Sequence, residues 1–288
     1  MENRVHYIVA GHMFAVEAEE KVLSLMTNFE PFKVSSEGAD CPLLFSLKID
    51  GNPAPEYIEE IKQDTEGQQI ICGHTADGDS VFEFQWKNRT AGCLVCSADY
   101  HSGTLHLSGL LVKAAVDNAL MIFFSMATAC IDTALFHAAT VSLDGRAYMF
   151  LGKSGTGKST HASLWIRHIA GSELVNDDNP AVRIGPDGTA TVYGTPWSGK
   201  TPCYRNVSYP IGGIVLLSQA PFNRIERLTG IRAYAAVVPS ISGKRWDSAM
   251  ADGLHRTENT IVGTVPVWHL DCLPDEDAAL LCWRTIAQ

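Results

Sequence analysis

A glycine-rich stretch carries the residues with the clearest chemical signature. Residues 150–165 read FLGKSGTGKSTHASLW, and Gly152, Gly157, Lys158 and Ser159 satisfy the pattern G-x-x-x-x-G-K-[ST]. Glycines let the backbone curl so that several N–H groups face one anion, and a helix N-terminus adds partial positive charge. The lysine of such a loop reaches the β and γ phosphates, and the serine hydroxyl binds Mg²⁺. The alternative is a glycine-rich turn that holds no ligand.

The pattern predicts a site for ATP with Mg²⁺. The predicted nucleotide-binding residues are consecutive: Gly152, Lys153, Ser154, Gly155, Thr156, Gly157, Lys158, Ser159 and Thr160.

Two adjacent carboxylates offer the second chemical element. The segment ELVNDD is a short predicted strand that ends in Asp177 and Asp178, and Asn179-Pro180 predicts a turn there. Ligands of α/β proteins bind at such strand ends. In phosphoryl transfer one carboxylate can coordinate Mg²⁺ while the other accepts the proton of the attacking hydroxyl. A turn capped by aspartates is the structural alternative.

Three further polar residues are candidates with weaker signals. His137 lies in an apolar run that Asp144-Gly145 separates from the next one, which is a strong hairpin signal. Counted outward from that turn, His137 pairs with Gly152, so it is either a structural histidine or a neighbour of the phosphates. Lys200 and Arg205, in GTPWSGKTPCYRN, are either ordinary solvated cations or cations that neutralise a transferred phosphoryl group.

The elements around the loop can be predicted from periodicity. RAYMFL reads as a strand before it, and after it Ala162, Trp165, Ile166 and Ile169 fall at helical spacing, with Gly171 as a stop. AVRIGPDGTATVYG predicts a hairpin and IGGIVLL a buried strand. The last sixty residues read as helical with interruptions.

The first part of the chain, residues 1–112, is predicted to be a separate β-rich domain of mostly antiparallel strands. LLFSLKI, SVFEFQW, GCLVCSA and GTLHLSG alternate at period two, and PEYIEEIKQ suggests a short helix. Residues 113–133 predict a long buried helix that opens the second domain, residues 113–288. Cys93 and Cys96 form a C-x-x-C without a second pair, so buried strand thiols are favoured over a zinc or redox site.

Composition limits the class of protein. The 288 residues are 46% hydrophobic with a formal net charge of -10, which argues against nucleic acid and anionic membranes as partners. The most apolar run, ALMIFFSMATACI, is too short to span a bilayer. The N-terminus does not resemble a signal peptide, and the eight cysteines are predicted to be reduced in a cytoplasmic protein. The sequence leaves oligomerisation open.

The histidine-bearing strand, the hairpin return, GKSGTGKST and the strand ending in NDD together resemble the HPr kinase/phosphorylase and phosphoenolpyruvate carboxykinase superfamily, over roughly residues 113–220. The closest likeness is to small bacterial HPr-kinase-related proteins. The resemblance implies an α+β fold with a mixed, partly antiparallel β core, a P-loop and flanking helices. It also implies that Asp177 is the base, that Asp178 and Ser159 bind Mg²⁺, and that Lys158, His137 and Arg205 lie by the transferred group.

The likeness has limits that bear on the substrate. Thr160 stands where HPr kinases carry glutamate, as in the carboxykinases, and GTPWSGK replaces the downstream HPr kinase segment. Both departures argue against HPr as the acceptor, and the length of the chain argues against decarboxylation. The expected function is a kinase that uses ATP and Mg²⁺ to phosphorylate a hydroxyl on a small molecule or a protein serine. The alternatives are a nucleotide-binding regulatory or scaffold protein without turnover, and reversible phosphorolysis.

Overall fold

The chain divides into two compact units, residues 1–127 and 128–288, in a computed structural model that describes residues 2–35, 41–65 and 68–287. This boundary differs from the predicted division after residue 112. The buried helix that was predicted to open the second domain spans Val112–Thr128 instead of 113–133. It packs on the sheet of the first unit, where the ring of Phe123 stacks on Phe45 at 4.1 Å between centroids. Burial of this apolar face therefore assigns the helix to the first unit.

The first unit is built on one sheet. Its strands and helices are β1 (Glu2–Val9), β2 (His12–Glu19), α1 (Glu20–Leu23), a 3-10 helix (Thr27–Phe32), β3 (Lys33–Val34), β4 (Leu43–Asp50), β5 (Ile58–Thr65), β6 (Gln68–His74), β7 (Ser80–Trp86), β8 (Arg89–Cys96), β9 (Ser102–Leu107) and α2 (Val112–Thr128). The strand order is β3-β1-β2-β4-β9-β8-β7-β6-β5. Most pairs are antiparallel, but β2–β4 and β4–β9 are parallel, so the sheet is mixed.

One element of the first unit was predicted wrongly. PEYIEEIKQ does not form a helix, because Ile58–Thr65 is strand β5 and pairs antiparallel with β6. The ladder to a neighbouring strand overrides the weak helical spacing of a short segment. The C-x-x-C prediction agrees with the structure, since Cys93 and Cys96 lie buried on β8 as free thiols. Burial raises the pKa of the Cys93 thiol to about 12.

The second unit contains the remaining elements. They are β10 (Thr133–Leu135), β11 (Ala139–Leu143), β12 (Arg146–Leu151), α3 (Lys158–His168), β13 (Glu173–Asn176), β14 (Ala181–Ile184), β15 (Ala190–Tyr193), β16 (Ser208–Gln219), β17 (Arg224–Leu228), α4 (Gly230–Val237), a 3-10 turn (Val238–Ser240), α5 (Ser248–Thr264), β18 (Val267–Cys272) and α6 (Glu276–Ile286).

The sheet of the second unit mixes parallel and antiparallel pairs. Its order is β10-β14-β15-β16-β12-β11-β13, with β18 beside β16 and β17 beside β18. Strand β16 runs parallel to β12 and β18, while the hairpins β11–β12 and β14–β15 are antiparallel. The chain is therefore α+β with a mixed, partly antiparallel core and flanking helices. Strand β18 was not predicted, because its six residues lie between two helices and carry no hairpin signal.

A hydrophobic core between the sheet and helices α3 and α6 supports the loop at the start of α3. Trp165 is fully buried there, and Ala162 and Ile169 are buried beside it, as the helical spacing predicts. Ile166 departs from the prediction because it is 41% exposed on the solvent side of α3. Within the described part of the chain, no helix is long and apolar enough to cross a membrane.

Candidate functional site

The hairpin β11–β12 delivers the chain to the glycine-rich loop. The register pairs Ala139 with Phe150 and Leu143 with Arg146, as predicted from the Asp144-Gly145 turn. Both turn residues have positive φ, 49° for Asp144 and 76° for Gly145, which is the requirement of a type I′ turn. The side chain of an aspartate tolerates this conformation, so the turn fixes where β12 ends and the loop begins.

The loop has the strand–loop–helix arrangement that the motif requires. Gly152, Gly155 and Gly157 have φ of 149°, 79° and 107°, a region that side chains rarely adopt. A Cβ at Gly155 or Gly157 would meet no atom within 4 Å, so the space in front of the loop is open. Helix α3 then begins at Lys158 with its N-terminus at the loop. Residues 152–160 thus have the backbone arrangement that the motif predicts, and their binding of an anion stays a prediction.

Two side chains hold the loop through hydrogen bonds, one from the loop itself and one from the sheet. The hydroxyl of Thr156 donates to the carbonyl oxygen of Lys153 at 2.7 Å. From the end of β16, the amide of Gln219 donates to the carbonyl oxygen of Gly155 at 3.1 Å. Gln219 was not identified from the sequence, because no local pattern connects it to a loop more than sixty residues earlier.

Lys158 is folded back onto the loop. Its Nζ donates to the carbonyl oxygen of Gly152 at 3.0 Å, and the residue is 7% exposed. Burial lowers the pKa of Lys158, while the charges of Asp178 and Asp177 oppose that shift. The charges of both carboxylates therefore act on the loop lysine.

The acid pair lies within a turn, residues 176–179, that the side chain of Asn176 stabilises. The Oδ1 atom of Asn176 accepts hydrogen bonds from the backbone N–H of Asp178 at 2.8 Å and of Asn179 at 2.9 Å. This Asx turn bends the chain immediately after β13, where successive residues of a straight strand would point to opposite faces. The backbone of Asp178 is held from another side as well, since its carbonyl accepts from Ala138 N at 2.8 Å.

Asp177 is the more enclosed of the two acids. It is 4% exposed, and its Oδ2 accepts a hydrogen bond from the backbone N–H of Thr201 at 3.0 Å. A Cβ on Gly199 would lie 3.4 Å from the same oxygen and 3.2 Å from Cβ of Asp178. We define Trp197–Thr201 as the covering segment, because it lies against both aspartates.

Asp178 faces His137. The Nε2 atom of His137 is 3.3 Å from Oδ1 of Asp178, and both side chains are partly exposed. Burial raises the pKa of Asp178, which the charges of His137 and Lys158 counteract. Burial lowers the pKa of His137, the charge of Lys158 lowers it further, and Asp178 opposes both.

The position of His137 differs in detail from the prediction. The β11–β12 ladder ends at Ala139 and Phe150, so His137 does not pair with Gly152. Its backbone N–H instead donates to the carbonyl oxygen of Ser240 at 2.7 Å. The chain leaves the hairpin there because residues 135–137 form an isolated antiparallel bridge with the segment after α4, through Ser240 and Ser242. The predicted proximity to the loop nevertheless agrees with the charge of Lys158 acting on the imidazole.

Arg205 is paired with residues of β13 and not with Lys158 or the two aspartates. Its Nη1 donates to the carbonyl oxygen of Leu174 at 2.7 Å, and its Nη2 is 2.7 Å from Oε2 of Glu173. Both partners lie at the start of β13, whereas the aspartates follow its end. The residue type alone could not reveal this pairing with Glu173, and a role of Arg205 at a transferred group stays a prediction. Lys200 is exposed on the covering segment.

A cavity of about 380 Å³ opens beside the loop. Its lining is largely apolar: Gly155, Thr156, Gly157, Thr160, His161, Leu164, Leu217, Gln219, Ala220, Cys272, Leu273 and Pro274. Neither aspartate lines it. The loop therefore borders an apolar cavity as well as the cluster of Lys158 and the two acids.

The donors present fit Mg²⁺ shared with a nucleotide. Ser159 is half-buried in the first turn of α3, and Asp178 carries a carboxylate near Lys158. These are oxygen donors, which Mg²⁺ prefers. Among the described residues, no group of three or more His, Cys, Asp or Glu side chains could hold a metal alone. Mg²⁺ commonly binds through one or two carboxylates plus substrate phosphates and water, so this sparse donor set fits it.

Comparisons with known proteins provide little beyond this geometry. No protein-family model matches the sequence, and no curated protein matches it. Among solved structures, the Hpr(Ser) kinase/phosphatase from Coxiella burnetii is similar over 53% of this chain and 93% of its own, with 13% sequence identity and a TM-score of 0.31. A similarity at this level carries no argument about activity, and membership of that superfamily stays a prediction.

Proposed function

We propose that this protein is an ATP- and Mg²⁺-dependent kinase that transfers the γ-phosphoryl group to a hydroxyl of a small molecule or a protein serine. The observation that carries the proposal is that the charges of two carboxylates, Asp177 and Asp178, act on the buried lysine of a glycine-rich loop. A protein that only grips a nucleotide needs metal ligands but no second carboxylate.

The loop residues 152–160 bind the phosphates. Their backbone N–H groups and the N-terminus of α3 face the anion, and Lys158 exchanges its bond to the Gly152 carbonyl for the β and γ phosphates. Ser159 and Asp178 would hold Mg²⁺, which spreads the phosphate charge when bound. The proposal leaves out Arg205, because its guanidinium is already paired with Glu173.

Asp177 accepts the proton of the acceptor hydroxyl. Its Oδ2 already accepts the N–H of Thr201, which leaves Oδ1 for the hydroxyl. His137 lies beside the second carboxylate, where its Nε2 orients Oδ1 of Asp178.

The apolar cavity receives the base of the nucleotide. It borders Gly155–Gly157 and offers the side chains of Leu164 and Leu217 and the turn 272–274 as walls. Ligand sites commonly combine apolar walls with a few polar groups at one end, and here the phosphate loop forms that end.

One observation favours the second candidate, a nucleotide-gated binding protein without turnover. Asp177 is 4% exposed beneath the covering segment, so an acceptor reaches it only after that segment shifts. Such a shift could equally be the signal that nucleotide binding transmits. Phosphorolysis would use the same residues as the kinase reaction.

Calorimetry with ADP tests the nucleotide site. We expect Lys158→Ala to weaken ADP binding by about tenfold or more, because it removes a charge-assisted contact to phosphate. Lys87→Ala is the matched control, because Lys87 lies in the turn between β7 and β8 of the first unit. Asp178→Asn should weaken binding only when Mg²⁺ is present. Equal ADP affinity in wild type and Lys158→Ala would contradict the phosphate site.

A further inference from the structure

A buried pair of polar side chains, Asn176 and Thr195, connects two segments of the site. One is the turn at residues 176–179, called the acid turn because it carries Asp177 and Asp178, and the other is the covering segment. Asn176 is fully buried, and its Nδ2 donates to Oγ1 of Thr195 and to the carbonyl oxygen of Trp197, both at 3.1 Å. Its Oδ1 already serves the N–H groups of Asp178 and Asn179. One side chain therefore makes four hydrogen bonds, which is the full capacity of a primary amide in this geometry.

Thr195 completes the connection from the other side. It is also fully buried, and its hydroxyl donates to the carbonyl oxygen of Asn179 at 2.7 Å. The hydroxyl oxygen of Thr195 also accepts hydrogen bonds, from Nδ2 of Asn176 and from the backbone N–H of Trp197 at 3.3 Å. The single proton of the hydroxyl and its acceptor sites are thus all in use.

The two segments that this pair joins are those that touch the carboxylates. The acid turn carries the backbone of Asp177 and Asp178, and the covering segment reaches Oδ2 of Asp177 through Thr201. A shift of either segment would move a carboxylate relative to Lys158. Buried, fully satisfied networks of this kind rigidify the groups that they connect.

We infer that Asn176 and Thr195 are positioning residues of the transfer site, which set where both carboxylates stand relative to the phosphate loop. The inference rests on the proposed function. It assigns a role to a threonine that the sequence presents only as part of the loop GTPWSGKTPCYRN and to an asparagine that it presents only as part of the strand ELVNDD. The competing explanation is a polar pair that stabilises the fold and nothing more.

Substitutions at Thr195 separate the two explanations. Thr195→Val keeps the shape and removes the hydroxyl, whereas Thr195→Ser keeps the hydroxyl and removes a methyl group. We measure ADP affinity by calorimetry without and with Mg²⁺, and the stability of each variant by urea unfolding. Positioning predicts that Thr195→Val binds ADP normally without Mg²⁺ but loses about tenfold or more of the Mg²⁺-dependent gain, as expected when a metal ligand loses its outer support. Thr195→Ser should retain the gain.

Each outcome decides between the explanations. If Thr195→Val loses stability but keeps the full Mg²⁺-dependent gain, the pair is structural and the inference is overturned. If Thr195→Ser loses the gain and Thr195→Val keeps it, packing of the methyl group is responsible, the hydroxyl is not, and the inference is overturned. Should Thr195→Val fail to fold, Thr195→Cys keeps a weak hydrogen-bonding group and should lose part of the gain, and an unchanged gain would overturn the inference. Wild-type protein without ADP affinity would instead refute the proposed function itself.

Discussion

A buried histidine in the first turns of α3 makes the stability of this protein depend on pH. His161 is 3% exposed, its Nε2 accepts the indole N–H of Trp165 at 3.2 Å, and its ring meets Phe150 edge to face at 4.7 Å between centroids. Burial lowers the pKa of His161 from 6.5 to about 4. A protonated ring would also lose the acceptor for Trp165 and would place positive charge near a helix N-terminus.

The direction of the effect follows from linkage. The unfolded chain takes up a proton at this position near pH 6.5, whereas the folded protein does so only near pH 4, so acid favours the unfolded state. The difference between the two pKa values corresponds to about 3 kcal/mol when fully expressed below about pH 4. Near pH 4.5 the loss is about 2.5 kcal/mol, and above about pH 7 it vanishes. Against a typical stability of 5–15 kcal/mol this is a large fraction.

Urea unfolding of wild type and His161→Gln between about pH 7 and pH 4.5 measures the effect. The glutamine keeps an oxygen that can accept the indole N–H but has no proton to gain. Other titrating groups act on both proteins, so the difference in unfolding free energy isolates His161. We expect that difference to shift by about 2.5 kcal/mol in favour of the variant as the pH falls. A difference that stays constant with pH would refute the burial of a neutral imidazole.

Two further predictions concern the framework of the site. Gly194→Ala should destabilise the fold by about 3 kcal/mol, because the new Cβ would lie 2.0 Å from the carbonyl oxygen of Arg205. Gly263→Ala should instead stabilise α5 by about 0.5–1 kcal/mol, because its Cβ would meet no atom within 4 Å. Equal midpoints in urea would contradict both assignments. Glu258→Gln should cost about 3 kcal/mol, because this fully buried carboxylate lies 2.6 Å from Arg245, whereas the exposed Glu276→Gln should change stability little. A thermal shift of the same size in both variants would contradict the buried pair.

Local chemistry accounts for what the sequence predicted well. The Asp144-Gly145 turn and the glycines of the loop each require a specific backbone conformation, and such requirements are visible in residue types. The hairpin, the strand–loop–helix and the end of β13 therefore agree with the structure. The turn at the acid pair was instead assigned to Asn179-Pro180, whereas the side chain of Asn176 forms it.

Features that depend on distant partners could not be predicted. Strand β5 exists because of its ladder with β6, although its own residues suggested a helix. Arg205 was assigned by its charge, but Glu173 determines where it points. The roles of Asn176 and Thr195 depend on contacts across two loops, and no pattern in a single sequence reports such contacts.

Transfer of label from ATP tests the central claim most directly. Wild type, Asp177→Asn and Lys158→Ala are incubated with Mg²⁺ and ATP labelled on the γ-phosphate, together with a panel of hydroxyl-bearing metabolites and serine peptides. If Asp177 is the base, wild type transfers the label to one component of the panel. Asp177→Asn should bind ADP normally but transfer the label at least roughly a hundredfold more slowly. The kinase proposal would be contradicted if wild type binds ADP, Lys158→Ala weakens that binding, and wild type transfers label to no component of the panel. That result would favour the nucleotide-gated binding protein.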